Sequence, residues 1–95
     1  MDKNLDKVTK EKIEKYRKLS LKALEIAKKS ITKGKEIEAR EITMMVDCYL
    51  ADSIHFESKL DYVNAFACLN YAHGWIDAGA RLKIFDVVDN NLFTV

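Results

Sequence analysis

The residues best placed to do chemistry lie in the last third of the chain. Asn70, His73, Asp77 and Arg81 follow one another at intervals of three, four and four residues, the spacing that puts side chains along one edge of an α-helix. His73 and Asp77 at that separation can hydrogen-bond, which orients an imidazole and raises its basicity. Asp77 and Arg81 can pair in the same way. Such an edge suits an anion or a polar binding partner, or a general-base histidine. Its purely architectural use is a solvated edge, or a polar network that fixes helix register. The four residues are candidate binding residues, and no catalytic residue is assigned.

A second constellation, Cys48, Asp52 and His55, falls on one side of an earlier helix at intervals of four and three. Asp52-x-x-His55 is loosely like the Glu-x-x-His of di-iron bundles, but those sites take two such motifs and further carboxylates from four helices. Antiparallel pairing about a turn near Lys59 sets His55 level with Asn64, nine residues from His73, or roughly 13 Å of helix. No metal and no cofactor are assigned. The chain has no Gly-x-Ser-x-Gly elbow, and its glycines form no phosphate loop, since Gly74 and Gly79 fall inside a predicted helix. Lys10, Arg17, Lys22 and Lys28 lie near one line of the first helix, where they could follow a phosphate backbone; Glu14 and Glu25 interrupt that line. Tyr71 and Trp75 are read as packing residues and interface candidates, since aromatics at helical spacing usually fill cores and interfaces.

These side chains need helices to position them, and the punctuation supplies helices. Proline is absent and glycine occurs only at Gly34, Gly74 and Gly79, far too few breaks for a sheet of short strands. The first helix is expected over about 9–32, capped by Thr9 and stopped near Gly34. Ile13, Tyr16, Ala23, Leu24, Ala27 and Ile31 form its apolar stripe, with Glu25–Lys29 among the ion pairs of its outer face. The second, over about 35–57, carries Ile42, Met45, Val46, Tyr49, Ser53 and Phe56. A break at Ser58–Asp61 forces an antiparallel hairpin with the third, over about 62–83, which Asp61 caps.

The third helix is apolar around more than half its circumference, so it must be gripped on two sides, by both other helices or by a second subunit. Ala65, Ala72 and Gly79, spaced by seven, form a row of small side chains that admits a close neighbour. Ile84–Val88 and Leu92–Val95 are apolar patches separated by Asp89-Asn90-Asn91. The expected result is one all-α domain over 1–95, an up-down-up antiparallel three-helix bundle with a short irregular tail (84–95) packed on it.

With 95 residues and a formal charge of +1, the chain builds one modest core and lacks the global field of a strong non-specific nucleic-acid binder. The charge is unevenly spread. Residues 1–40 hold 13 Lys and Arg against 7 Asp and Glu, whereas residues 41–95 hold 3 against 8. Cys48 and Cys68 form no CxxC pair and are read as free thiols of a reducing compartment. No signal peptide or membrane-spanning run is recognised, so the expected location is cytoplasmic.

The run from Asp61 to Leu82, with Tyr71-Ala72-His73-Gly74-Trp75-Ile76-Asp77-Ala78-Gly79 at its centre and Phe85-Asp86-Val87 after it, resembles the archaeal family catalogued as domain of unknown function 357. The resemblance is strongest over residues 60–88. It implies a compact three-helix bundle with no established activity, and an accessory role beside nucleotidyltransferase-like domains. Lys83 departs from the pattern, which implies a glycine at the end of the helix. The function expected is a non-catalytic protein-interaction or assembly module, self-association being its simplest form. The alternative is an accessory nucleic-acid or nucleotide-binding domain that uses the basic first helix and the Asn70–Arg81 edge.

Overall fold

The computed structural model describes residues 6–93; residues 1–5 of the expected domain, and Thr94 and Val95 of the expected tail, lie outside the described residues. Three helices, α1 (Lys10–Lys28), α2 (Glu36–Ser58) and α3 (Tyr62–Arg81), run antiparallel in chain order, with no strand among the described residues. The bundle is all-α, as its periodicity dictates. Its Cα extents are 48 × 28 × 16 Å, a slab only about two helix layers thick.

Both hydroxyl and carboxylate caps form where the residue types place them. Thr9 accepts from the Lys12 amide at 3.1 Å, and Asp61 accepts from the Asn64 amide at 3.2 Å. The first helix ends earlier than expected. It stops at Lys28, and Ser30 donates its hydroxyl to the Ile26 carbonyl at 2.8 Å as the chain turns away. The backbone is drawn instead to the tail. Ile31 bridges Phe85, the Thr32 amide donates to Ile84 at 3.0 Å, and the Asp86 amide donates to Ser30 at 2.7 Å. Thr32 adds its own hydroxyl, donated to the Lys83 carbonyl at 2.6 Å.

The third helix ends two residues before the expected Lys83, and the reason is Lys83 itself. Its φ is +62°, the left-handed conformation that usually calls for glycine. The Ile84 amide reaches back to the Gly79 carbonyl and the Lys83 amide to Ala80, the paired bonds of a Schellman motif. Leu60, at φ +61°, closes α2 identically, with the Asp61 amide on Phe56 and the Leu60 amide on Glu57.

Helix α3 lies between its neighbours and packs on both, while α1 and α2 touch only sparsely. Alanine recurs at the helix contacts. Ala23 and Ala27 of α1, Ala39 of α2, and Ala65, Ala72 and Ala80 of α3 are fully buried. Small side chains let helix axes approach, and Gly79 takes this furthest. A methyl group added there would sit 2.4 Å from the ring of Phe85. That ring, fully buried, joins Ile84, Val87, Leu92 and Phe93 in closing one side of the bundle, so the tail does fold back over the helices.

Candidate functional site

Two surface features hold the residues that the sequence singles out. The first is a half-open cleft of about 330 Å³ where α3 faces α1 and the tail. Asn70, His73 and Asp77 line it together; Arg81, in the last turn of α3, is exposed and outside the lining. His73 sits at its floor, half-buried. Its Nε2 donates to the Leu92 carbonyl at 2.9 Å, and its Nδ1 meets the Ser20 hydroxyl at 3.2 Å.

The expected His73–Asp77 hydrogen bond does not form. The Asp77 carboxylate is 3.7 Å from Nε2, an electrostatic neighbour rather than a bonded one. The Leu92 carbonyl takes that donor instead, because the tail arrives over the edge and brings an acceptor with it. Serine, imidazole and carboxylate thus stand together, but the serine meets Nδ1 and the carboxylate is not bonded to the ring, the reverse of a hydrolytic triad's connections. The Ser20 side chain is buried in mid-helix, where neighbouring amides are spent on helical bonds and none is left for an oxyanion. What the arrangement does is pin the tail to α1 and α3.

The second feature is the outward face of α3. Tyr71 and Trp75 project there, flanked by Ala67 and Ala78 with Gly74 between them, around a shallow apolar groove of about 600 Å³. Trp75 remains 38% exposed and Tyr71 62%. Tyr71 stacks on Tyr49 of α2 at 5.3 Å and 16°, which holds its ring flat against the surface. Helix three is therefore gripped on its inner side by both partners while a strip of its outer side stays wet. Gly74 sits on that strip, and nothing lies within 4 Å of where its side chain would be.

None of Cys48, Asp52 and His55 lines the cleft that holds His73. Cys48 is exposed and Cys68 buried, and both are free thiols. Burial first, and then the charges of Asp52 and Asp61, push the Cys68 thiol above its ordinary range. No group of three or more His, Cys, Asp or Glu among the described residues is arranged to hold a metal ion. The cationic line of the first helix is also broken. Arg17 turns inward, bonding the Glu57 carboxylate and the Ser53 hydroxyl of α2, and Lys28 lies 3.7 Å from Asp47. Lys29 pairs with Glu25 at 3.5 Å.

Sequence reasoning missed Ser20 as a partner of His73 and missed the Arg17–Ser53–Glu57 network. A signal existed for both. Ser20 and Ser53 are hydroxyls set into apolar stripes, and each is buried; a buried hydroxyl has to find a hydrogen-bond partner.

The sequence profile of the family described as "Protein of unknown function (DUF357)" matches residues 2–85, all three helices and Phe85 included. The chain belongs to the DUF357 family. No curated protein and no solved structure matches it. The family description assigns no function. No helix among the described residues of this DUF357 chain is long and apolar enough to cross a membrane.

Proposed function

We propose that this DUF357 domain is a non-catalytic interaction module that docks a helix of a protein partner on the outward face of α3. The simplest such partner is a second copy. Gly74 carries the reading. A glycine inside a helix costs about 1 kcal/mol relative to alanine. Gly79 repays that cost by admitting the Phe85 ring, but the fold gives no such reason for Gly74, whose missing side chain faces open space. A backbone kept bare beside two exposed aromatic rings suits the close approach of another helix.

The test is sedimentation velocity over a wide concentration range, with tryptophan emission followed in parallel. Association is expected to grow with concentration and to shift the Trp75 emission to the blue. Gly74→Arg, which the open surroundings accommodate, is expected to remain monomeric and folded. A photo-crosslinker at position 78, used in the native cell, identifies any other partner by mass. A wild-type chain that stays monomeric and yields no adduct from that position removes the proposal.

Nucleotide binding fits the cleft poorly. Among the described residues no lysine or arginine lines the cleft to hold a phosphate, and Asp77 places a carboxylate there. The basic helix has committed Arg17 to an internal ion pair.

A further inference from the structure

On the reading of the outward face of α3 as a docking surface, we infer that its occupant is a second copy of this chain, with the two α3 helices parallel about a two-fold axis along them. Charge selects both the occupant and its orientation. The α1 edge of the face is basic. Lys12, Lys15, Leu19 and Lys22 succeed one another at intervals of three, four and three, one line of a helix. That line borders α3: Leu19 lines the cleft, which adjoins the groove through Asn70 and Gly74. The Lys12 ammonium lies 5.3 Å from the centre of the Phe66 ring of α3. The carboxylate on this side, Asp77, is already engaged 3.7 Å from the His73 ring.

The α2 edge is acidic. Glu38, Glu41, Met45, Tyr49 and Asp52 follow at intervals of three and four, and Tyr49 stacks on Tyr71 beside the groove. Lys15, Lys22, Glu38, Glu41 and Asp52 are exposed. The ion pairs that join α1 to α2, Arg17–Glu57 and Lys28–Asp47, use other residues.

Because α3 lies between α1 and α2, two copies can meet through it in two symmetric ways. With the two-fold axis across the helices, α1 lies over α1 and α2 over α2, like charge on like. With the axis along α3, the basic edge of each copy lies over the acidic edge of the other, twice. Gly74 of one copy then faces Gly74 of the other, and the bare backbones let the two helices approach. Arg81 faces its own copy at one end, where its exposed side chain can turn its head to water.

The experiment reads charge and orientation separately. In sedimentation velocity the wild-type dimer should loosen several-fold from low to high salt, because salt screens attraction between opposed edges. Lys12→Glu/Lys15→Glu should weaken it about tenfold, from rim pairs of a few tenths of a kcal/mol or more each, reversed and counted twice by symmetry. Spin labels report the orientation, placed at Val63 and at Leu82, exposed near the two ends of α3 and outside the groove. They are introduced as single cysteines in a Cys48→Ser/Cys68→Ala chain. Each singly labelled dimer should give a short distance, and the mixed dimer a long one set by the roughly 28 Å of helix between the positions. A short distance in the mixed dimer alone means antiparallel helices, which overturns the proposal and leaves the docking face standing. A chain monomeric at every concentration overturns it too; an adduct from position 78 then assigns the face to a partner of another sequence. Should Cys68→Ala not fold, the charge arm decides: a dimer tightened by salt, or indifferent to Lys12→Glu/Lys15→Glu, overturns the parallel arrangement.

Discussion

Two glycines on one helix make opposite demands. At position 79 an added methyl group would meet the rigid, buried Phe85 ring at 2.4 and 2.6 Å, and overpacking of this kind costs about 1–3 kcal/mol. The helix-propensity gain of about 1 kcal/mol offsets only part of it. Gly79→Ala is therefore expected to lower the denaturation midpoint. Gly74→Ala should raise the stability of the dilute domain by about 1 kcal/mol while weakening any association through α3. A Gly79→Ala chain as stable as wild type would show that the Phe85 ring gives way freely. The two thiols are a second contrast. Cys48 is exposed and Cys68 is buried with a raised pKa, so iodoacetamide under native conditions should label Cys48 and spare Cys68. A thiol whose folded pKa lies above its unfolded value stabilises the fold below the unfolded pKa. That contribution disappears as pH rises through the folded value. Denaturant titrations at increasing alkaline pH should show this loss, and Cys68→Ala should flatten it.

Between helices, the joints carry the avoidable strain. Leu60 and Lys83 hold left-handed φ values of +61° and +62°, a conformation that costs a side-chain-bearing residue roughly 1–2 kcal/mol. Leu60→Gly and Lys83→Gly are each expected to stabilise the fold by up to about 1 kcal/mol, since glycine's larger unfolded-state entropy takes back part of the relief. Equilibrium urea unfolding checks both, and a midpoint that falls in either variant contradicts the strain argument. The same joints mark where local signals sufficed. Ser58–Asp61 announced the α2–α3 hairpin because turn, cap and apolar period all lie within a few residues. The end of α1 was illegible because what stops it, pairing of Ser30, Ile31 and Thr32 with the tail, lies more than fifty residues away in the chain. His73 followed the same pattern. Its helical edge was readable, but its true partners, Ser20 and Leu92, come from elements that only tertiary packing brings near. Trp75 was read as a packing residue and interface candidate, and in the single chain it remains 38% exposed because a three-helix slab has no fourth element to cover it.

At the scale of the whole molecule, the core is thin and the contacts are uneven. Helices α2 and α3 share a short connection and an extensive interface, whereas α1 reaches α3 through residues distant in sequence. The bridge of Ile31 to Phe85, with the Thr32 and Asp86 amides on either side of it, joins those two parts by backbone bonds. Those two protons are therefore built-in reporters of a partial opening in which α1 swings free while the hairpin persists. Native-state hydrogen exchange should find them lost as a pair, at a lower opening free energy than the amides of Val46 and Leu69 deep in the hairpin. Exchange of all four at one common free energy would mean that the slab comes apart only as a unit.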